Sequence, residues 1–412
     1  MPKRGWVAGL LLLGALLATA ASADAQAGIP RVRPEAAGLA AEPLADITDL
    51  LHRAVADQLL AGAVVGVARH GQVAYLEAVG VQDLAARAPM TERSLFRVYS
   101  MTKAVTAVAV MMLHEEGRFQ LSDPISRYLP AFRDVVVLNA DGTTRPPARP
   151  VTVEHLLLHT AGLSHRTSAE YREARVRSRD MSLDQLIGNM VRVPLRFEPG
   201  EGYLYSEASS VLGRLVEIWS GQPFDQFLHE RIFEPLGMVD TGFWVEPERR
   251  DRLTTVYAMS DGTGLRPFEI EEVPFTVRPT LLEGAVGLVS TVPDFLRFTL
   301  MLANHGELAS VRILEASTVA NMTRNGLADE ILRNRRGGTG WALANVSVVV
   351  DAEAAGAGAR AGEYRWDGSA GTELWVDPAS GTVLVTMWQS SPANPDQLRQ
   401  RITALVREAI QP

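Results

Sequence analysis

The chain has 412 residues, a formal net charge of −8 and no cysteine. Without cysteine there is no disulfide, no thiol nucleophile, no cysteine-ligated metal and no cysteine to carry a lipid anchor. The arginines are scattered rather than clustered, so no basic stripe marks a nucleic-acid partner, and the acidic balance reads as a solubility feature.

Residues 1–25 read as a cleavable secretory signal. Lys3 and Arg4 form a charged start, 7–17 an apolar run, and Ala21-Ser22-Ala23 and Ala23-Asp24-Ala25 offer small-residue cleavage sites. The run is too short for a comfortable membrane span. The expectation is an exported protein, periplasmic or secreted, with no stable membrane anchor. Its mature part, 26–412, is long enough for a large core.

Residues 43–60 carry Leu44, Ile47, Leu51 and Val55 at helical spacing, so one helix face is buried. The β-branched run 63–69, a His70-Gly71 turn and 73–79 predict a hairpin. The apolar stretch 100–116 has a helical pattern and stops at Gly117. Residues 141–150 and 352–362 read as surface loops. The stretch 166–183 is dense in Arg and Glu and reads as a solvated helix face, with a lid over the site as the sharper alternative. A second hairpin is predicted over 372–376 and 382–388, turning at Asp377-Pro378-Ala379-Ser380-Gly381. The last helix takes Asn394 as its cap and Pro395 at its first position, with an apolar stripe of Leu398, Ile402, Leu405 and Ala409. Helix and hairpin at one end, hairpin and helix at the other, imply an α/β (α+β) fold: one antiparallel sheet built from both termini, flanked by helices, with a mostly helical inserted region. The sheet lobe is expected at about 26–99 and 300–412 and the helical lobe at about 100–299, with no internal repeat.

Of the 40 basic residues, only Lys3 and Lys103 are lysine. Beyond the leader, Lys103 stands alone, within Ser100-Met101-Thr102-Lys103. Arginine cannot give up its proton, whereas a buried lysine can. Ser100 lies at a helix N-terminus, and positions i and i+3 share a face. The apolar run 104–110 buries that helix, which lowers the lysine pKa, and the positive end of the helix dipole acts in the same direction. A neutral lysine beside a serine hydroxyl is a general base beside a nucleophile; a lysine paired with a carboxylate is the other reading. In Tyr205-Ser206-Glu207, which follows Glu198-Pro199-Gly200, a tyrosine of perturbed pKa can relay a proton, or it can be an ordinary core aromatic. In Trp366-Asp367-Gly368-Ser369 the glycine lets a substrate approach the strand edge. The N–H groups of Ser369 and Ser100 can then form an oxyanion hole; alternatively Trp366 packs the sheet. No G-x-S-x-G occurs. Glu154-His155 with His159 is not H-E-x-x-H, since three leucines separate the histidines, and reads as structural near the active-site loop.

In order and spacing, these three motifs resemble the three boxes of the serine β-lactamase and penicillin-binding-protein superfamily, in particular class C-like proteins and family VIII carboxylesterases. Supporting stretches are Leu121-Ser122-Asp123-Pro124, His155-Leu156-Leu157-Leu158-His159-Thr160-Ala161-Gly162-Leu163, Phe233-Glu234-Pro235-Leu236-Gly237-Met238 and Gly287-Leu288-Val289-Ser290-Thr291. The resemblance covers nearly the whole mature chain. It implies a β-lactamase/transpeptidase-like fold with Ser100 as acylating nucleophile, Lys103 and Tyr205 as base and proton relay, and the third box as oxyanion strand. It implies neither cofactor nor metal. Two departures stand out. Glu207 replaces the asparagine that usually ends the second box, which changes the charge of that corner. Trp366 replaces the lysine that usually opens the third box, as in esterase-like members, and Arg365 next to it faces the other way along the strand. The expected function is hydrolysis of small carboxylic esters through a Ser100 acyl-enzyme. The alternatives are a class C-like β-lactamase, a D-amino-acid peptidase acting on cell-wall fragments, and a catalytically silent binding relative.

Overall fold

Strands from the two ends of the chain meet in one sheet. β1 (Gly62–Arg69) and β2 (Gln72–Asp83) form the N-terminal hairpin, extended by β3 (Ala88–Pro89). β4 (Thr339–Ala342), β5 (Val346–Val349), β6 (Tyr364–Asp367), β7 (Glu373–Asp377) and β8 (Thr382–Trp388) come from the C-terminal part. The order is β4-β5-β6-β7-β8-β1-β2-β3. β1 pairs antiparallel with β8, Val65 opposite Thr386, which joins the two ends. The computed structural model describes residues 28–411 except 261–263, 272, 336 and 357, so the signal segment expected at 1–25 lies outside the described residues.

Both faces of the sheet are covered, which is why β1 is almost continuously apolar rather than alternating. The helices that frame the sheet and the site include α1 (Ala41–Ala56), α2 (Thr102–Glu115), α3 (Val153–Leu157), α4 (Ala208–Ser220), α5 (Val292–Ala303) and α6 (Leu398–Ala409). Successive residues of one strand serve two cores. Val65, Val67 and Leu384 pack with Leu44, Ile47 and Leu51 of α1 and Ile402 of α6. Val64, Val383 and Val385 pack with Phe295 and Leu296 of α5 and onward into the helical region. There α2 lies against α4, and α3 also packs on α4. Every residue of α2 from Thr102 to Leu113 is buried, as expected of a helix that is apolar all round. Each fully buried Val, Leu or Met contributes about 1.5–3 kcal/mol, so this helix is fixed firmly beneath the site. Gly117, at φ 71°, ends the segment.

The C-terminal helix departs from its sequence pattern. Pro395–Gln397 forms a separate 3-10 turn, with Asp396 and Gln397 at φ 49° and 53°, and α6 begins at Leu398. Asn394 still satisfies the helix start, its Oδ1 accepting the Arg399 N–H at 3.0 Å. Val406, four residues after Ile402, takes the buried place expected for Leu405, which is only half-buried. The expected loop 141–150 is largely exposed but holds a short strand, Thr144–Arg145, paired with Val137–Leu138, and 352–362 opens with a helical turn, Ala352–Ala355, capped by Asp351. Among the described residues, no helix is long and apolar enough to cross a membrane.

Candidate active site

Ser100 sits in the 3-10 turn Tyr99–Met101, which runs directly into α2. Tyr99 has φ 41°, a left-handed conformation that costs energy for a bulky residue. Burial and an edge-on contact with Phe275, centroids 6.0 Å apart, hold it there. One helical turn on, Lys103 is fully buried. Its Nζ lies 3.4 Å from Ser100 Oγ and donates to the Ala285 carbonyl at 2.9 Å. That carbonyl comes close because residue 284 is glycine: a Cβ there would meet Ser209 O at 2.3 Å and Thr106 Cγ2 at 2.8 Å. Burial drives the lysine pKa down to about 8, with Glu207 opposing and Arg166 assisting.

Tyr205 lies in the loop just before α4. Lys103 Nζ stands 4.8 Å from its ring centroid. His159, Trp366 and His165 surround the ring at 4.8, 5.0 and 5.5 Å. The phenol hydroxyl is buried and closes no hydrogen bond among the described residues. Burial raises its pKa, although Ser100 and Trp366 pull in the other direction. Near pH 8 the phenol therefore keeps its proton while the lysine loses one.

Trp366 on β6 turns inward against Tyr205 and against Trp341, at 4.5 Å. Its neighbours in sequence turn outward: Arg365 pairs with Glu373 at 2.9 Å and Asp367 with Arg399 of α6 at 2.7 Å. Arg365 thus does not stand in for the missing lysine. Gly368 permits a close approach to the nucleophile turn, since a Cβ there would sit 2.3 Å from Thr372 Oγ1 and 2.5 Å from the Val98 carbonyl oxygen. Its N–H is bound to Thr372 O at 2.8 Å, and Ser369 beyond it is exposed.

Glu207 occupies the N-cap position of α4 and is fully buried. Its carboxylate accepts the Arg166 N–H at 3.3 Å and Ser210 Oγ at 3.4 Å, and lies 4.0 Å from His165 Nε2. Burial pushes its pKa up, but Lys103, Arg166, His165 and Arg177 together outweigh this and hold it below the usual carboxylate range. The corner is anionic.

The stretch 166–183 is neither a solvated helix face nor a simple cover. Only Ala169–Glu173 and the last residue belong to helices. Arg166 reaches Glu271 at 2.9 Å, and Arg177 bridges Glu271 at 2.9 Å and Glu283. These side chains are largely buried because three carboxylates, Glu207, Glu271 and Glu283, need counter-charge in a dry place. Sequence reasoning missed His165, Arg166, Arg177, Glu271, Glu283 and the Ala285 carbonyl. The available signal was Glu207 itself, since a carboxylate in an apolar setting calls for cations nearby.

His155 is structural as expected, its Nδ1 accepting the Thr152 N–H in a capping box that opens α3. His159 is buried beside Tyr205. Among the described residues no group of three His, Cys, Asp or Glu is placed to hold a metal ion.

Known proteins resemble this chain over most of its length. The beta-lactamase family model matches residues 47–408. Esterase EstB of Burkholderia gladioli is 34% identical over 378 residues, covering 86% of this chain and 92% of that protein. An uncharacterized protein of Mycobacterium tuberculosis is 34% identical over 351 residues, 81% of this chain and 87% of its own length. Among solved structures, EstCE1, described as a hydrolase with promiscuous acyltransferase activity, matches with a TM-score of 0.77 at 26% identity, over 89% of this chain and 99% of that one. With most of its length matched by the family model and by these relatives, the chain belongs to the beta-lactamase family.

Proposed function

We propose that this protein is an exported serine hydrolase that cleaves small carboxylic esters through an acyl-enzyme on Ser100. The carrying observation is a fully buried lysine with a pKa of about 8, 3.4 Å from the Ser100 hydroxyl. Neutral Lys103 takes the hydroxyl proton as Oγ attacks the carbonyl carbon. The N–H groups of Ser100 and Ser369 receive the oxyanion, because the Gly368 N–H is already bound to Thr372. The Tyr205 phenol hands its proton to the departing alkoxide and regains one from the Lys103 ammonium. Lys103, neutral again, takes a proton from water as its oxygen attacks the acyl carbon, and returns one to Ser100 Oγ as the ester bond to the serine breaks and the acid leaves. The aromatic Trp366, with Arg365 turned away, favours a neutral ester over an anionic β-lactam. The esterase name of EstB supports the same reading.

A panel of short-chain nitrophenyl esters, nitrocefin and D-alanyl-D-alanine peptides tests this. Ester turnover is expected to dominate, with nitrocefin weak. Nitrocefin turnover comparable with ester turnover would instead make the protein a β-lactamase, and failure of a fluorophosphonate probe to label it would make it a silent relative.

Two further outcomes follow from the charges. Lys103 acts only when unprotonated, so kcat/KM should rise with pH, bend near pH 8 and level off above it. Glu207 raises the lysine pKa, so in Glu207→Gln the bend should move to lower pH, keeping or raising the rate at neutral pH. The same change leaves Arg166 and Arg177 short of counter-charge, lowering stability by about 1–3 kcal/mol. A pH–rate profile and a denaturant melt check both. A collapse of kcat at unchanged stability would give the carboxylate a chemical task.

A further inference from the structure

His159 and Asn345 are buried polar residues that the mechanism above leaves unused. Both hold left-handed backbone angles, φ 55° and 56°, an uncommon state for residues with side chains. His159 grips the Tyr205 segment from both sides. Its carbonyl accepts the Leu204 N–H at 3.0 Å. Its Nδ1 accepts the Ser206 N–H at 3.3 Å and lies 3.0 Å from Ser206 Oγ. Tyr205 stands between these anchors. An Nδ1 that accepts a backbone N–H carries no proton, so the neutral ring carries its proton on Nε2. His159 Nε2 is buried with no partner among the described residues, and so is Asn345 Nδ2. The two side chains are neighbours: the His159 ring lies 5.2 Å from that of Trp341, four residues before Asn345, and holds Ser206, three residues before the Ser209 whose Oγ stands 3.2 Å from Asn345 Oδ1. Asn345 acts on the imidazole as a hydrogen-bonding group. Buried polar groups are nearly always bonded. Turning the Asn345 amide by half a rotation satisfies both orphans at once: Oδ1 accepts from His159 Nε2–H, and the amide NH2 donates to Ser209 Oγ.

We propose that His159 and Asn345 form a hydrogen-bonded clamp that fixes the direction of the Tyr205 hydroxyl, which makes both of them positioning residues for the Ser100 reaction. The clamp joins three separate parts of the chain: the end of α3, the start of α4 and the β4–β5 turn. Burial keeps the imidazole neutral, and Lys103 and His165 act in the same direction. Tyr203, Tyr205 and Trp341 fill the rest of its surroundings. The kinetic part of this inference rests on the proposed ester hydrolysis; the tautomer does not.

The test uses the folded wild type, labelled with 15N-histidine. NMR from about pH 5 to about pH 8 should show His159 as the Nε2–H tautomer with constant shifts. The Nδ1–H tautomer, or titration in that range, overturns the clamp. Asn345→Ala should lower kcat about 10- to 100-fold with little change in KM, and Asn345→Asp, which keeps an acceptor, should recover much of the loss. Rates are taken per fluorophosphonate-labelled serine, so a poorly folded fraction does not count. An Asn345→Ala enzyme with wild-type kcat overturns the positioning role. If Asn345→Ala does not fold, the wild-type tautomer decides. If no ester is turned over, the rate of fluorophosphonate labelling replaces kcat, which separates failure of the substrate reading from failure of the clamp.

Discussion

Ser100→Ala is expected to lower kcat for nitrophenyl ester hydrolysis by about 10⁴- to 10⁶-fold. The proposed acylation route depends on one oxygen placed between the buried amine and the incoming carbonyl. Removing it leaves the backbone N–H groups and the aromatic walls of Tyr205 and Trp366 in place. The variant should therefore still bind esters, with KM changed far less than kcat. Stability should move little, within about 1 kcal/mol, because a single hydroxyl contact is lost and no cavity larger than one oxygen is opened. Ester turnover, a thermal melt and fluorophosphonate labelling measure the three consequences. Turnover within tenfold of the wild type would place the nucleophile elsewhere and sink the acyl-enzyme on Ser100.

The parts of this protein that were legible in its sequence are those written in local spacing. Ser100 and Lys103 are three residues apart, so one helical turn brings them together whatever the rest of the chain does. The hairpins at 62–83 and 373–388 announce themselves through β-branched runs and tight turns, and the matching helix beside each suggested that the two ends share a sheet. Tyr205 and Trp366 lie 105 and 266 residues from Ser100, and no periodicity links them to it; their membership of the site came from the resemblance of the three motifs. The kink before α6 left no signal because Asp396 and Gln397 adopt positive φ without glycine. The charges around Glu207 misled for a similar reason. Arg166 and Arg177 meet Glu271 and Glu283 across roughly 100 residues of chain, and a dense Arg/Glu stretch looks the same in sequence whether it faces water or a buried carboxylate. Only the third dimension distinguishes these cases, and here it turned a presumed solvated face into the electrostatic frame of the site.

Lys103→Arg is expected to lower kcat/KM by about 10³-fold or more, within the range that general-base catalysis supplies together with some misplacement of neighbours. The substitution keeps the positive charge that this chain supplies with arginine at 38 other positions. What it removes is the option of being neutral. With a pKa of about 8, about a tenth of wild-type Lys103 is unprotonated at pH 7 and about half at pH 8. Arginine, which stays protonated across the whole working pH range, offers no such fraction. The bend near pH 8 should therefore vanish from the residual pH–rate profile. Stability separates this chemical loss from a structural one. Arginine still neutralises Glu207, so the cost is the larger head group in a fully buried place, about 1–3 kcal/mol of overpacking. Lys103→Met, of similar length but uncharged, leaves Glu207 short of a cation and should be inactive as well, with its own loss of stability. The pair of variants decides between the two readings that the sequence left open. If lysine serves only as a counter-ion to Glu207, Lys103→Arg stays active and Lys103→Met does not. If lysine is the base, both lose the reaction, and only the arginine variant keeps the charge balance that the buried carboxylate requires.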